Sequence, residues 1–297
     1  MSAERDGVVV ATAGRRVVVR DDEGERACFL SGQRAVVGDR VRWVEARGEG
    51  GKVTSVAERD NALVRADERG REQVLAANLA GVLIVCAPVE PAFRAGLVDR
   101  YLVAAGVAGL AAAVVLNKVD QGVPQIVEAE LALRVATGVE LLRTSTVTGE
   151  GMEALRERIA STERPWALVG HSGTGKTSIA AALLPGVDVG AIGELSEYWG
   201  QGRHTTTGSR LFEVPTGGRL VDSPGIRTFA PGRIDAEALR DWFPGVGPLG
   251  CRYRDCLHRE GEDGCVAEAE VPAELLASYR RLLAEILRLD DRRKPWT

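Results

Sequence analysis

About the first 60 residues carry short valine-rich runs separated by Gly and Asp turns. The clearest runs are GVVVATAGRRVVVR, RACFL, VVGDRVRW and KVTSVAE. Short β-branched runs with this punctuation are typical of a small barrel or sandwich of strands. Five short strands suit an OB-type fold, so we expect residues 1–65 to form an OB-type β-barrel. That scaffold often binds RNA, but fold analogy alone does not establish binding.

From about residue 70, continuous apolar runs alternate with helix-like segments. The runs are GVLIVCAP, LAAAVVLN, VELLRTS and PWALVG, followed by SRLFEVP and GGRLVDSPG as an expected strand pair. Continuous apolar strands alternating with helices indicate a parallel sheet covered on both faces. We therefore expect an α/β domain over residues 70–232 and a smaller helical module over residues 233–297, which ends in a long amphipathic segment.

Composition narrows the class of protein. Apolar residues make up 45% and charged residues 27% of the chain, which is ordinary for a globular protein. No apolar run approaches the ~18 residues of a membrane span, and the amino terminus lacks a signal-peptide layout, so we expect a cytoplasmic protein with no membrane partner. The net charge of −4 does not indicate a nucleic-acid binder. RNA contacts would need local patches such as Arg15-Arg16.

A phosphate-binding loop is the most specific motif. GHSGTGKT fits G-x-x-x-x-G-K-[ST] in full, with an apolar strand before it and a helix-compatible segment after it. Its glycines let backbone amides face phosphate oxygens, Lys176 would reach the β- and γ-phosphates, and Thr177 would ligate Mg²⁺. The expected nucleotide-binding residues here are Gly170, His171, Ser172, Gly173, Thr174, Gly175, Lys176, Thr177 and Ser178.

A second motif predicts the base. It is Asn117-Lys118-Val119-Asp120. This motif ends an apolar strand, where open α/β sheets bind ligands. Asp120 can accept from N1–H and the 2-amino group of guanine, a donor pair that adenine lacks. Asn117 can contact the acceptor edge of the base, and the Lys118 stem can lie along the ring. In the loop TSTVTGEG after the next strand, Ser145 and Thr146 would support the base.

Two further segments resemble the switch regions of GTPases and complete the set of GTPase motifs. DSPG would hold the Mg²⁺ shell through Asp222 and contact the γ-phosphate through the Gly225 amide. In GRHTTTGS, Thr206 is the expected contact to Mg²⁺ and the γ-phosphate, with Thr205 and Thr207 as alternatives. The elements run base motif, base-support loop, phosphate loop, threonine segment and D-x-x-G. That order is a cyclic permutation of the usual one, and a permuted sheet keeps its site if the old termini were close.

Four candidate metal ligands cluster near the carboxyl end. They are Cys251, Cys256, His258 and Cys265. The spacing C-x4-C-x-H-x6-C gives a closed Cys₃His set, the composition of a structural Zn²⁺ site. Unliganded, reduced thiols are the alternative, because a cytoplasmic setting disfavours disulfides. Cys28 and Cys86 stand alone in strand-like runs and are expected to be buried core residues.

Nearly the whole chain resembles the RsgA (YjeQ) family of circularly permuted GTPases that depend on the small ribosomal subunit. The segments that carry the resemblance are NLAGVLIV, DRYLVAA, VVLNKVD, GHSGTGKTS, GRHTTT, DSPGIR and C-x4-C-x-H. The resemblance implies hydrolysis of GTP to GDP stimulated by the small subunit, a role in its late maturation, and rRNA contacts through the barrel and zinc module. Two features depart from the family: six residues separate His258 from Cys265 where five are usual, and His171 stands where glutamine is common.

A residue that orients the attacking water is the remaining part of the site. Ile226 follows D-x-x-G, where many GTPases carry a water-orienting glutamine, and an isoleucine cannot hydrogen-bond to water. His204 is expected to take that role, since histidine titrates near neutral pH and the family resemblance points the same way. The alternative is a histidine that only packs against or caps its loop.

Two other functions stay open from the sequence. An ATP-dependent phosphotransferase could use the same phosphate loop, which by itself does not select a base. A non-catalytic RNA-binding switch could use GTP only to regulate docking of the barrel and the zinc module. A monomeric GTPase that assists small-subunit assembly, with Mg²⁺ and one structural Zn²⁺, accounts for all the motifs together.

Overall fold

The computed structural model of the chain describes residues 3–46, 50–66, 72–187, 209–222, 226 and 234–291. A closed five-stranded barrel comes first, an α/β domain second and a helical module last. This is the multidomain architecture that the sequence predicts.

Five short strands form the barrel, as expected. They are β1 (Arg5–Ala13), β2 (Arg16–Asp21), β3 (Gly24–Leu30), β4 (Arg40–Glu45) and β5 (Gly51–Val56). The strands pair in the order β1-β2-β3-β5-β4, and β4 closes the barrel by pairing with β1. Alternate residues point inward, so Val9, Val17, Val19 and Trp43 form a core with the buried Cys28.

The α/β domain has six strands and four described helices. The strands are β8 (Gly81–Cys86), β9 (Ala111–Asn117), β10 (Glu140–Thr144), β11 (Trp166–Val169), β12 (Ser209–Glu213) and β13 (Arg219–Asp222). The helices are α1 (Ala95–Val107), α2 (Gln125–Ala136), α3 (Met152–Ala160) and α4 (Lys176–Leu183). The strand order is β10-β9-β8-β11-β13-β12, and neighbours are parallel except β12 and β13. Apolar clusters cover both faces of this sheet, so its strands are buried as predicted.

A two-stranded hairpin lies between the barrel and the α/β domain. Its strands are β6 (Ala62–Ala66) and β7 (Glu72–Ala77), which pair antiparallel. The hydrophobic pattern did not predict this hairpin. Asn78 follows it and donates from Nδ2 to the Gly38 carbonyl at 2.8 Å, which joins the hairpin to the barrel.

The barrel and the α/β domain share one continuous sheet. Residues 5–8 of β1 pair with β4, and beyond an irregularity at Val9/Ala11 the strand pairs with β12 through Ala11 and Thr12. An ion pair between Arg20 of the barrel and Glu213 of β12 lies beside this junction, with a 2.5 Å separation. The barrel is therefore bonded to the strand that follows the threonine segment.

The C-terminal module consists of three described helices around an apolar core. These are α5 (Ala236–Trp242), α6 (Ala267–Glu270) and α7 (Ala273–Asp291). The Asp235 carboxylate accepts from the Ala238 amide at 2.7 Å and caps α5. Phe243 and Tyr279 meet edge-to-face with centroids 5.4 Å apart in the core. Across all the described ranges, every helix is too short or too polar to cross a membrane.

A buried charge network joins the module to the α/β domain. Asp99 of α1 and Arg134 of α2 are 0% and 1% exposed and form a two-pronged ion pair with distances of 3.0 and 2.8 Å. Ser278 of α7 donates to the same carboxylate at 2.8 Å. Burying two charges is tolerated because each prong of the guanidinium and the carboxylate finds a partner.

Removing one side of this network should destabilise the protein far more than removing an exposed ion pair. Arg134→Ala leaves the Asp99 carboxylate buried without its cation, and we expect a loss of about 3–5 kcal/mol in the free energy of unfolding. Urea denaturation measures it. Arg143→Ala is the matched control, because its ion pair with Glu128 is exposed and should contribute about 0–1 kcal/mol. Equal losses in the two variants would contradict the assignment.

Candidate functional site

The predicted nucleotide-site residues within the described ranges lie at one edge of the α/β sheet. Asn117 ends β9, Ser145 follows β10, Gly170 follows β11 and Asp222 ends β13. These strands are parallel, so their carboxyl ends lie at the same edge, where such sheets bind ligands. The permuted chain order therefore still brings the base motif and the phosphate loop together.

Asn117 makes the direct contact between these two motifs. Its Nδ2 donates to the Thr174 carbonyl of the phosphate loop at 3.0 Å, and the side chain is 1% exposed. Gly175, at φ +95°, lies beside that amide, and a Cβ there would be 2.2 Å from Asn117 Nδ2. Glycine is therefore required at 175 for two reasons, the left-handed backbone and the close approach of Asn117.

Thr144 orients the Asn117 amide and was not among the predicted site residues. Its hydroxyl donates to Asn117 Oδ1 at 3.1 Å, and Thr144 is fully buried. The two residues are register partners in the parallel pair β9–β10. The bond fixes which end of the amide faces the phosphate loop. Only strand register, which the sequence does not reveal, would have identified it.

The predicted base-support residue Ser145 is hydrogen-bonded to Asp120. The Ser145 hydroxyl donates to Asp120 Oδ1 at 2.5 Å, while Oγ accepts from the amides of Val147 and Thr148 at 3.2 and 3.1 Å. Ser145 is buried and Asp120 is exposed, so the carboxylate is held from one side and open on the other. Thr146 is half-buried in the same turn.

Lys118 lies between the base motif and the loop after β8. Its backbone is left-handed, with φ 66°, and its Nζ donates to the Glu90 carbonyl at 2.8 Å. The neighbouring Val119 is half-buried in a single 3₁₀ turn, Val119–Gln121. The extended Lys118 stem thus forms a wall of the site on the side of the base motif.

The phosphate loop has the backbone of an anion-binding turn. Gly170 and Gly173 have φ values of +133° and +83°, and a Cβ at Gly170 would be 2.2 Å from the Val85 carbonyl. Lys176 begins α4, is 8% exposed, and donates from Nζ to the Gly170 and His171 carbonyls at 2.7 Å each. The exposed residues of the loop and the first turn of α4 are His171, Ser172, Gly173, Thr177 and Ser178. Amides at a helix start favour an anionic ligand.

Tyr101 of α1 supports the loop from the side of the core. It is 4% exposed, and burial raises the pKa of its phenol to about 12 although a hydrogen bond with the Gly170 backbone opposes the shift. The phenol therefore stays neutral. Sequence reasoning did not single out this residue, because within α1 it reads as an ordinary core aromatic.

The switch segments are only partly within the described residues. Asp222 ends β13 and is 8% exposed. Ile226 is 1% exposed and packs in the apolar cluster with α1, so it does not face solvent. The other predicted switch residues lie outside the described residues. They are His204, Thr205, Thr206, Thr207 and Gly225.

The Cys₃His cluster is assembled in the C-terminal module. Its four ligand atoms lie within 4.8 Å of one another. His258 Nδ1 is 3.5, 3.6 and 3.6 Å from the sulfurs of Cys251, Cys256 and Cys265, and two of those sulfurs are 4.0 Å apart. A tetrahedron around zinc has N–S edges of about 3.5 Å and S–S edges of about 3.8 Å. The arrangement can therefore hold a metal ion.

The surroundings of His258 suit a metal ligand. The backbone at His258 is left-handed, with φ 55°, and Nε2 lies 3.1 Å from the Gly247 carbonyl. That contact places the proton on Nε2 and leaves the Nδ1 lone pair facing the three sulfurs. The Arg280 guanidinium of α7 donates to the His258 carbonyl at 2.9 Å, which attaches the loop that carries His258 to α7.

Comparison with known proteins gives the family. The family model described as RsgA GTPase matches residues 56–231. The small ribosomal subunit biogenesis GTPase RsgA of Ectopseudomonas mendocina is 38% identical over 303 residues, and that of Azotobacter vinelandii is 40% identical over 305 residues. Each alignment covers 96% of this chain and 87% of the relative.

Solved structures agree with the sequence matches. YjeQ from Thermotoga maritima superposes with a TM-score of 0.76 and 27% identity over 96% of this chain and 99% of that one. YloQ, a circularly permuted GTPase, has the same fold, with a TM-score of 0.72 and 21% identity over 99% and 98% of the two chains. The resemblance found in the sequence is confirmed, and this chain belongs to the RsgA GTPase family.

Proposed function

We propose that the chain binds GTP, hydrolyses it to GDP and assists late maturation of the small ribosomal subunit, which stimulates hydrolysis. In this proposal the protein acts as a cytoplasmic monomer. Residues 70–232 carry the nucleotide, and residues 1–65 and 233–297 contact the subunit and its rRNA. The observation that carries the nucleotide part is the bond from Asn117 to the Thr174 carbonyl. The names of the curated relatives support the ribosomal part.

Selection of guanine would depend on the orientation of the Asp120 carboxylate. Ser145 occupies Asp120 Oδ1 and fixes the orientation of the carboxylate. Asp120 would then accept from N1–H and the 2-amino group of guanine. Adenine has no donor pair for it and would leave the open side of the carboxylate without a donor, so it should bind far more weakly. Asn117 and Lys118 would flank the base, as their positions at the end of β9 allow.

Phosphate binding uses the loop and the start of α4. The loop amides and Lys176 would hold the β- and γ-phosphates, which would replace the loop carbonyls as partners of the Lys176 ammonium. Thr177, Thr206 and Asp222 would hold Mg²⁺, with Asp222 acting through its water shell. When bound there, Mg²⁺ would neutralise part of the charge on the phosphates.

Hydrolysis needs a group that orients the attacking water. Ile226 is buried and apolar, which supports the expectation that its side chain does not orient the water. We propose that His204 accepts a proton from water as it attacks the γ-phosphate and that the Gly225 amide donates to a γ-phosphate oxygen. The subunit would stimulate turnover by fixing the segment that carries His204.

The metal of the Cys₃His cluster is proposed to be a single structural Zn²⁺. Three thiolates and one imidazole are soft and borderline ligands, a set that favours zinc over magnesium or calcium. All four ligand positions are filled by protein, so the ion would hold the module together rather than take part in hydrolysis.

Small-subunit stimulation is the direct test of the proposed function. The chain alone should turn GTP over slowly, and purified small subunits should raise the rate strongly. His204→Ala should remove most of the stimulated rate, about 10²–10⁴-fold for a lost acid–base group, while leaving GTP affinity intact. Phosphate release measured with and without subunits gives both rates.

Glu157→Ala serves as the control, because it changes an exposed residue of α3 outside the predicted nucleotide site. It should keep stimulated turnover near the wild-type value. Equal rates with and without subunits in the wild type would overturn the ribosomal part of the proposal. Full stimulated turnover in His204→Ala would overturn the catalytic assignment alone.

Metal content tests the zinc assignment. The purified chain should contain about one zinc per molecule, since a Cys₃His set binds one ion. Cys256→Ser should lose it, because removing one thiolate opens a closed site, and the module should then unfold at lower temperature. Elemental analysis and thermal melting are the measurements. Cys86→Ala, which changes a buried cysteine outside the cluster, should keep the metal, and zinc retained by Cys256→Ser at the wild-type level would refute the site.

A further inference from the structure

A groove runs between three helices at the junction of the α/β domain and the C-terminal module. It is bounded by the start of α1, the start of α2 and the middle of α7, and its volume is about 740 Å³. One end of the groove reaches His171 of the phosphate loop. Ser278 lies on its floor and belongs to the buried network with Asp99 and Arg134, so the walls are held in place.

The charge of the groove is positive once internal pairs are taken into account. Two carboxylates line it: Glu285 pairs with Arg100, and Glu130 shares Arg134 with the buried Asp99. The lining arginines, Arg94, Arg100 and Arg281, still outnumber these carboxylates by one. Arg94 and Arg281 line it too, are exposed, and have no ion pair within the described parts of the chain. Two guanidiniums are therefore available to an anionic ligand.

The groove also presents apolar and aromatic surface beside those cations. Ile126 at the start of α2 is 74% exposed, and Phe93 before α1 is half-buried. Ile126 therefore adds apolar contact surface next to the two arginines. Guanidiniums next to an aromatic face are the combination that binds single-stranded nucleic acid, through phosphates and stacked bases.

We propose that this groove binds a short single-stranded stretch of RNA, with phosphates on Arg94 and Arg281 and a base against Phe93 and Ile126. The choice of RNA over an acidic peptide rests on the proposed function, which supplies an RNA-containing partner, and on the aromatic wall. The volume lies in the range of ~300–1,000 Å³ found for compact ligands, so only a few nucleotides enter. The strand would lie beside His171 and so contact the phosphate loop from outside.

The test compares charge-matched variants in RNA binding. The double variant Arg94→Gln/Arg281→Gln removes the two free cations. The control, Arg143→Gln/Arg156→Gln, removes two arginines whose partners are the surface carboxylates Glu128 and Glu153. The probe is a single-stranded RNA of about 12 nucleotides that carries 4-thiouridine. Its Kd is measured over a series of KCl concentrations for each protein.

Loss of two phosphate contacts should make the negative slope of log K against log[KCl] shallower by about 1.4, because each contact with a single strand contributes about 0.7. The control should keep the wild-type slope, and ultraviolet cross-links should map to residues 93–100, 126–130 or 278–285. Equal slopes in the two double variants would overturn the proposal. So would cross-links found only outside these ranges, or displacement of the probe by polyglutamate but not by unlabelled RNA.

This test is separate from the test of hydrolysis. Arg94 and Arg281 are not among the residues proposed to bind the nucleotide, so their double variant should keep wild-type GTP affinity and the unstimulated rate. If small subunits failed to stimulate the wild type, the proposed function would fall while the oligonucleotide result still decided the groove.

Discussion

One hydrogen bond, from Asn117 Nδ2 to the Thr174 carbonyl, constrains the whole nucleotide site. It joins a base motif and a phosphate loop that stand in reversed order along the chain. Gly175 must be glycine to let the amide approach, and Thr144 must donate to Asn117 Oδ1 to orient it. The bond can form because β8 lies between β9 and β11 and all three strands are parallel. Parallel pairing thus makes chain order irrelevant to the geometry of the site.

Two junctions attach the flanking domains to this core by different means. The barrel is joined by backbone pairing, because Ala11 and Thr12 of β1 extend the sheet onto β12. The C-terminal module is joined by side chains, through the buried network of Asp99, Arg134 and Ser278. The first junction lies at Arg210 of β12, which is also the register partner of Asp222, and the second lies between helices α1, α2 and α7. Both flanking domains are therefore in direct contact with elements that surround the nucleotide site.

Local signals in the sequence were sufficient for the motifs and for most elements. The phosphate loop, the apolar strands and the Cys₃His spacing each occupy a short segment, so each can be recognised from the sequence without knowledge of the tertiary structure. The pairing of β1 with β12, the hairpin β6–β7 and the roles of Thr144, Tyr101 and Arg134 were not predicted. Each depends on which distant segments become neighbours. Thr144 contacts Asn117 because of strand register, and Arg134 is a charged residue that would ordinarily be assigned to the surface.

The central claim is that the permuted chain assembles a guanine site around Asp120, and nucleotide competition tests it most directly. Displacement of a fluorescent GDP by GTP, ATP and XTP is measured for the wild type and for Asp120→Asn. The account predicts that GTP displaces the probe from the wild type while ATP does not. In Asp120→Asn the preference should pass to XTP, whose 2-oxo group accepts a hydrogen bond where guanine donates one. Displacement by ATP as effective as by GTP, or GTP affinity unchanged in Asp120→Asn, would contradict it.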